Sequence, residues 1–136
     1  MAEQPSCLSM VLCDGVLRDL ITNKCTVVGT FNTVFSTEFP ALARLCVFCE
    51  LTDGNGQSQL ELQIVEAATG LDDEPSEPVV KHGPFPIDLP SPLHVVEVAT
   101  AFLANFQKPG LYHCELLANG NPIASRRLVV QEVRKD

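Results

Sequence analysis

The sequence contains few aromatic residues and few basic residues. It has no tryptophan, one tyrosine, and nine basic residues against 17 acidic ones, which gives a formal net charge of −8. The basic residues are scattered, apart from Arg126-Arg127 and Arg134-Lys135. A charge of this sign repels a phosphate backbone and an anionic membrane. We therefore expect neither nucleic acid nor membrane as a partner.

Long apolar runs are also lacking. Nowhere do eighteen apolar residues follow one another, and the first fifteen residues have no basic start followed by an unbroken apolar stretch. These absences predict no transmembrane helix and no signal peptide, so we expect a cytoplasmic protein. The chain has 136 residues, 46% of them hydrophobic, which suits one domain with a packed core. We assign residues 1–136 to that domain.

Six cysteines are present, an even number, but a reducing cytosol favours free and buried thiols over disulfides. The pair Cys46-x-x-Cys49 lacks the second pair that would complete a zinc site. Side chains three apart on a strand point to opposite faces, so these two thiols would not share a metal. We interpret them as core residues, with a metal or redox pair as the alternative. The full set is Cys7, Cys13, Cys25, Cys46, Cys49 and Cys114.

Short β-prone runs separated by turn residues predict an all-β chain. The first run ends at Asp14-Gly15, and others cover residues 24–31, 42–51 and 58–66. In the last of these, Leu60, Leu62 and Ile64 alternate with polar residues, so one face packs and the other meets water. That pattern is typical of antiparallel sheets. We predict an antiparallel immunoglobulin-like β-sandwich of about seven to eight strands.

The second half of the chain contains two less regular segments. Six of the ten prolines fall between Pro75 and Pro92, which predicts a proline-rich crossover over residues 69–92 with at most short edge strands, such as residues 83–89. The segment His94–Phe106 contains features of both a helix and a strand. Its β-branched residues and the alternation from His94 favour a strand, whereas one face of a helix would be lined by Val95, Val98, Ala99, Phe102 and Phe106. We favour the strand.

The stretch from Gly110 to Val130 is a predicted hairpin about Asn119-Gly120. A two-residue turn would place Tyr112 opposite Arg127. A three-residue loop that includes Asn121 would instead place Leu128 and Val130 on the face of Tyr112 and Cys114. We favour this shifted register because it makes the better core.

Residues with reactive side chains do not form a recognisable site. His82 and His94 lie far from other ligand types, and His113 and Cys114 are adjacent, which on a strand gives them opposite directions. We predict no catalytic, cofactor-binding or metal residue and no enzyme activity. A small-molecule or cation site in the acidic loop around Asp72 is the alternative. The acidic candidates are Asp72, Asp73, Glu74 and Glu77, with Asp53 in a second oxygen-rich turn.

Tyr112-x-Cys114 after a Pro-Gly turn resembles the tyrosine corner of immunoglobulin-like sandwiches. Nearly the whole chain resembles a family of small bacterial cytoplasmic proteins classed as a domain of unknown function, through Gly29-x-Phe31, an LTDG turn at residues 51–54 and a closing hairpin at residues 109–128. The resemblance implies a sandwich without known activity.

By elimination we expect a protein-interaction or self-assembly module with a protein partner or a second copy of itself. An exposed strand edge or exposed loops would present the contact. The candidate apolar anchors are Leu111, Leu117 and Phe35.

Overall fold

The computed structural model describes residues 4–67 and 77–134, and these residues form nine β-strands and no helix. The all-β prediction is confirmed, whereas the expected seven to eight strands are corrected to nine. No helix that could cross a membrane occurs within these ranges. The strands are β1 (Ser6–Arg18), β2 (Cys25–Thr30), β3 (Thr33–Ser36), β4 (Ala41–Thr52), β5 (Gly56–Glu66), β6 (Val80–Leu89), β7 (Val96–Phe106), β8 (Gly110–Ala118) and β9 (Asn121–Glu132).

Two sheets enclose the main core. The first has the order β2-β1-β4-β7 and the second the order β3-β9-β8-β5-β6. All neighbours are antiparallel except β3 and β9, which are parallel. The predicted inward face of β5 is confirmed, since Leu60, Leu62 and Ile64 are all buried. Their partners across the core come from β4 and β7, among them Leu45 and Phe106.

The proline-rich region contains a longer strand than expected. β6 spans ten residues and pairs with β5 along its length, which corrects the expectation of at most short edge strands. The ladder is interrupted by a bulge at Gly83-Pro84. β6 has no neighbour on its other side within its sheet, and an edge position tolerates proline because the missing N–H has no partner to lose.

The prediction of a strand at His94–Phe106 is confirmed as β7, which begins two residues later at Val96. Eleven consecutive residues pair with β4. Phe102, Ala104 and Phe106 are buried, and the residues between them are exposed. Burial therefore alternates with the two-residue period of a strand, not with the 3.6-residue period of a helix.

The β8–β9 hairpin combines the two registers that the sequence left open. Its turn has only two residues, Asn119 and Gly120, with φ of 53° and 85°. A bulge at Ile123 then shifts the pairing, so that Tyr112 lies opposite Leu128. The shifted register is confirmed, but a bulge produces it and not a three-residue loop.

The β1–β2 hairpin extends beyond the predicted end of the first strand. β1 does not stop at Asp14-Gly15 but continues to Arg18 and pairs there with β2. The hairpin folds back over the outer face of the first sheet. Val16 and Val27 pack there on a second buried cluster of Cys13, Cys46 and Phe48.

One ion pair tethers the end of this hairpin. Arg18 Nη1 lies 3.6 Å from Glu97 Oε1 on β7. Glu97 lies opposite Glu50 of β4, and β4 lies between β1 and β7. The hairpin therefore reaches across β4 to β7. Its far end therefore lies near β7, with an exposed ion pair that stabilises the contact only weakly.

Candidate functional site

The cysteines occupy two separate apolar environments. Cys49 lies in the core between the sheets, and Cys46 lies on the outer face beneath the β1–β2 hairpin. The prediction that they point to opposite faces is confirmed. Burial raises the pKa of Cys49 and of Cys114 to about 12, so both remain protonated thiols at neutral pH. All six cysteines are free.

The three histidines lie apart and have different surroundings. His82 Nε2 lies 2.6 Å from Thr100 Oγ1, and its ring stacks on Phe102 with the centroids 5.2 Å apart. His94 Nδ1 lies 2.7 Å from Ser91 Oγ in the turn before β7. His113 is half-buried while its neighbour Cys114 is fully buried. Their opposite directions, predicted from the strand, are confirmed.

The acidic candidates fall largely outside the described residues. Asp72, Asp73 and Glu74 lie in the segment 68–76, which the structure does not describe. Glu77 is exposed, and Asp53 adopts a φ of 64° in the turn between β4 and β5. Within residues 4–67 and 77–134, no three His, Cys, Asp or Glu side chains gather in a group that could hold a metal ion.

The predicted apolar anchors differ in exposure. Phe35 on β3 is 62% exposed, Leu111 on β8 is 36% exposed, and Leu117 is half-buried. β3 ends the second sheet, whereas Leu111 and Leu117 belong to an inner strand. The three side chains therefore do not form one surface centred on a single edge.

A more exposed apolar pair lies at the end of the β1–β2 hairpin. We call residues 19–24, which connect the two strands, the hairpin tip. Within it, Leu20 is 97% exposed and Ile21 is 95% exposed. Exposed apolar side chains that are neighbours often mark contact sites.

Hydrogen bonds give the hairpin tip a defined backbone. Asp19 N–H donates to Lys24 O at 2.9 Å, and Asn23 N–H donates to Asp19 O at 2.8 Å. The Asp19 carboxylate accepts from Ile21 N–H at 2.8 Å and from Thr22 N–H at 3.2 Å. These backbone hydrogen bonds lower the pKa of Asp19. The carboxylate is therefore charged at neutral pH and holds the loop like a helix cap.

Arg18 connects the tip to the body of the protein. Its Nη1 donates to Asn23 O at 3.0 Å and to Asn23 Oδ1 at 3.1 Å, and the same atom faces Glu97. Asn23 adopts a φ of 62°, a conformation that asparagine tolerates better than most residues. Leu20 and Ile21 are thus presented to solvent on an ordered turn.

The sequence analysis did not identify this tip. Its residues Leu20 and Ile21 are a short apolar pair within an ambiguous segment, and such a pair is usually part of a core. The signal that could have found them is their position between Asp19 and Asn23, two turn formers four residues apart. A turn at that position places both side chains outside the strands and therefore outside the core.

Comparisons with known proteins give a family and a fold. The sequence model of a family described as "Family of unknown function (DUF6941)" matches residues 8–131. No curated protein sequence matches the chain. Among solved structures, the chain resembles the alkylpurine DNA glycosylase AlkC of Pseudomonas fluorescens, solved bound to DNA that contains an abasic site analog, with a TM-score of 0.54 and 9% sequence identity. The similarity covers 94% of this chain and 30% of the glycosylase chain.

This structural likeness corrects the prediction about partners. We expected no nucleic acid because the net charge is −8, but a domain of similar fold occurs in a protein that is bound to DNA. At 9% identity the likeness shows the fold alone and identifies no partner for this chain. The exclusion of nucleic acid on net charge is therefore wrong, since the distribution of charge over the surface matters more than its sum.

Proposed function

The chain belongs to DUF6941, a family of unknown function, and we propose that it is a non-catalytic protein-interaction module that docks through its hairpin tip. Leu20 and Ile21 would enter an apolar pocket of a protein partner. The observation that carries the proposal is the near-complete exposure of both side chains on a hydrogen-bonded turn.

Burial of the two tip side chains would make a measurable contribution to the affinity of a larger interface. Full burial of a leucine or isoleucine side chain contributes about 1.5–3 kcal/mol. Two such side chains would therefore contribute roughly 3–6 kcal/mol, which corresponds to at least about a hundredfold in affinity. Because the turn is already ordered by Asp19 and Arg18, the backbone loses little conformational entropy on docking, and the remaining cost is that of fixing the two side chains.

A non-catalytic role is supported by the state of the nucleophilic side chains. The thiols of Cys49 and Cys114 are buried, and burial raises their pKa values to about 12, whereas a catalytic cysteine needs a lowered pKa and access to substrate. His113 points away from Cys114, so that pair does not provide a base for the thiol.

We also propose that the two sheets belong to the immunoglobulin-like class. The orders β1-β4-β7 and β9-β8-β5 correspond to the orders A-B-E and G-F-C of that fold. Tyr112 Oη donates to Lys108 O at 2.7 Å, as in a tyrosine corner. Cys49 and Cys114 lie on the two strands that an intersheet disulfide joins in antibody domains, here as free thiols.

A bacterial and cytoplasmic origin completes the proposal. The resemblance of the sequence motifs suggests the bacterial source, and six free cysteines suit a reducing compartment. Neither point affects the proposed docking surface.

The test compares capture of partner proteins by three forms of the immobilised chain. The wild type and a Leu20→Ser/Ile21→Ser variant are exposed to extract of the source cells under reducing conditions. A Leu93→Ser variant is the matched control, because Leu93 is 92% exposed in another turn. We expect a partner that the wild type and the Leu93 variant retain equally and that the tip variant loses.

The affinity for that partner, measured with purified proteins, should fall by about a hundredfold in the tip variant. Far-ultraviolet circular dichroism of all three forms should coincide, since the substituted side chains make no core contact. Equal retention by the tip variant and the wild type would contradict the proposal. If the wild-type chain retains only copies of itself, the docking partner is a second copy of the chain, and the role is self-assembly.

A further inference from the structure

A second surface of the protein collects hydrogen-bond donors beside β9. An open depression of about 430 Å³ is lined by Asn32, His113, Ser125, Arg126 and Arg127. We call it the β9 depression. It lies next to the segment between β2 and β3, where Asn32 O accepts from Val129 N–H at 2.9 Å, and it is separate from the hairpin tip.

The charge of the β9 depression is opposite to that of the whole chain. Two arginines line it, and no carboxylate does within the described residues. Neither Arg126 nor Arg127 forms an ion pair with another residue of that part of the chain. Arg126 lies opposite Cys114 and Arg127 opposite His113, so the two side chains leave β9 on opposite faces. In a chain with a net charge of −8, two arginines that flank one strand edge still make this place favourable for an anion.

A carboxylate beside the depression, that of Glu115, already has a hydrogen-bond partner. Glu115 lies opposite Ser125 in the β8–β9 ladder, and its Oε1 accepts a hydrogen bond from Gln63 Nε2 at 2.8 Å. Ser125, Asn32 and His113 add a hydroxyl, an amide and a ring nitrogen to the lining. All of these groups can donate hydrogen bonds to an oxyanion.

The backbone of β9 contributes further donors. Val129 N–H points toward the β3 side, and main-chain groups alternate along a strand, so Arg127 and Ser125 N–H point to the same side. β3 pairs with β9 only from Val129 to Glu132. At residues 125 and 127, β9 therefore has no hydrogen-bonded strand on this side among the described residues, although β1 lies close to β9. The N–H groups of these residues are directed to the side on which Asn32 lies.

A slot with a mixed polar and apolar lining adjoins the β9 depression. It has a volume of about 270 Å³, it is lined by Val11, Leu12, Thr30 and Phe31, and it shares Asn32 and Arg126 with the depression. A ligand that binds here would place an anionic group on the arginines and an apolar or aromatic part against Phe31. This arrangement matches an organic phosphate better than a bare inorganic ion.

We propose that the β9 depression binds a phosphoryl group, with Arg127 and Arg126 as the charged ligands and the free N–H groups of β9 as additional donors. The ligand is a phosphate ester whose organic part lies in the adjoining slot. The phosphate group could belong to a mononucleotide or to the backbone of a single-stranded nucleic acid, and the experiment separates these sources.

The test is a titration of the ¹⁵N-labelled protein, followed by the backbone amide resonances. Inorganic phosphate, AMP and a short oligothymidylate are added in turn at constant ionic strength. We expect saturable shifts of the amides of Ser125 and Arg127 with all three. Arg126→Gln and Arg127→Gln should each weaken binding about tenfold. The charge-matched control is Arg134→Gln, because Arg134 is exposed outside the depression.

Comparison of the three ligands identifies the source of the phosphate. Tighter binding of AMP than of phosphate, with shifts at Val11 and Phe31, would assign a mononucleotide-sized ester. Tighter binding of the oligothymidylate, weakened steeply by salt, would assign a nucleic-acid backbone. The proposal is overturned if the amides of Ser125 and Arg127 do not shift, or if Arg134→Gln weakens binding as much as Arg127→Gln.

Discussion

Burial raises the pKa values of the Cys49 and Cys114 thiols strongly. The pKa values of Cys49 and Cys114 are raised to about 12 in the folded protein, while an unfolded cysteine titrates near pH 8.5. Above that pH the unfolded chain loses protons that the folded chain keeps. The free energy of unfolding must therefore fall as pH rises between about 9 and 12.

This shift predicts an alkaline loss of stability that the two thiols cause. Each contributes a slope of about 1.4 kcal/mol per pH unit, so a Cys49→Ala/Cys114→Ala variant should show a slope shallower by about 2–3 kcal/mol per unit. Urea unfolding at pH 9 to 11 measures it. Between pH 6 and 7.5 the two proteins should have the same slope, because both states are then protonated. Parallel slopes above pH 9 would contradict the account.

At the scale of single elements, the β1–β2 hairpin depends on one glycine. Gly29 adopts a φ of 66°, and a Cβ there would overlap the Asp14 carboxylate. Gly120 in the β8–β9 turn adopts a φ of 85°, but a Cβ there would meet nothing within 4 Å. The two positions therefore share the backbone strain and differ in the space available.

We expect Gly29→Ala to lower the free energy of unfolding by up to about 1 kcal/mol more than Gly120→Ala. Both variants carry the strain of a positive φ, and Gly29→Ala also forces the exposed Asp14 side chain to move. Chemical denaturation of both variants measures the difference. Asp14→Ala in the Gly29→Ala background should recover part of the loss, since it removes the overlapping carboxylate. Equal losses for the two glycine variants would show that the Asp14 contact does not matter.

The positions of strands were predictable where apolar and polar residues alternate clearly. They were less predictable where a β-bulge sets the length or register of a strand. The alternation around Leu60 correctly predicted the buried face of β5, and β-branched residues correctly predicted β7. The bulges at Gly83-Pro84 and Ile123 were not predictable, because a bulge depends on the partner strand as well as on its own residues. The first bulge lets β6 continue past a proline, and the second sets the β8–β9 register.

At the scale of the whole molecule, net charge and mean composition describe the surface poorly. The sum of −8 conceals the β9 depression, whose two arginines come together with Asn32 and His113 only after folding. Leu20 and Ile21 resemble core residues until the hairpin carries them away from both sheets. The β9 depression depends on contacts between distant parts of the chain, which a local pattern does not contain. The hairpin tip is marked locally only by the turn formers Asp19 and Asn23.

The most direct test of the central claim is site-specific photocrosslinking in the source cells. A photoreactive phenylalanine analogue replaces Ile21 in one variant and Leu93 in another, since both positions are more than nine-tenths exposed. The account predicts a discrete protein adduct from position 21 that position 93 does not give, and that Leu20→Ser in the same chain diminishes. No adduct from position 21, or the same adducts from both positions, would contradict docking through the hairpin tip.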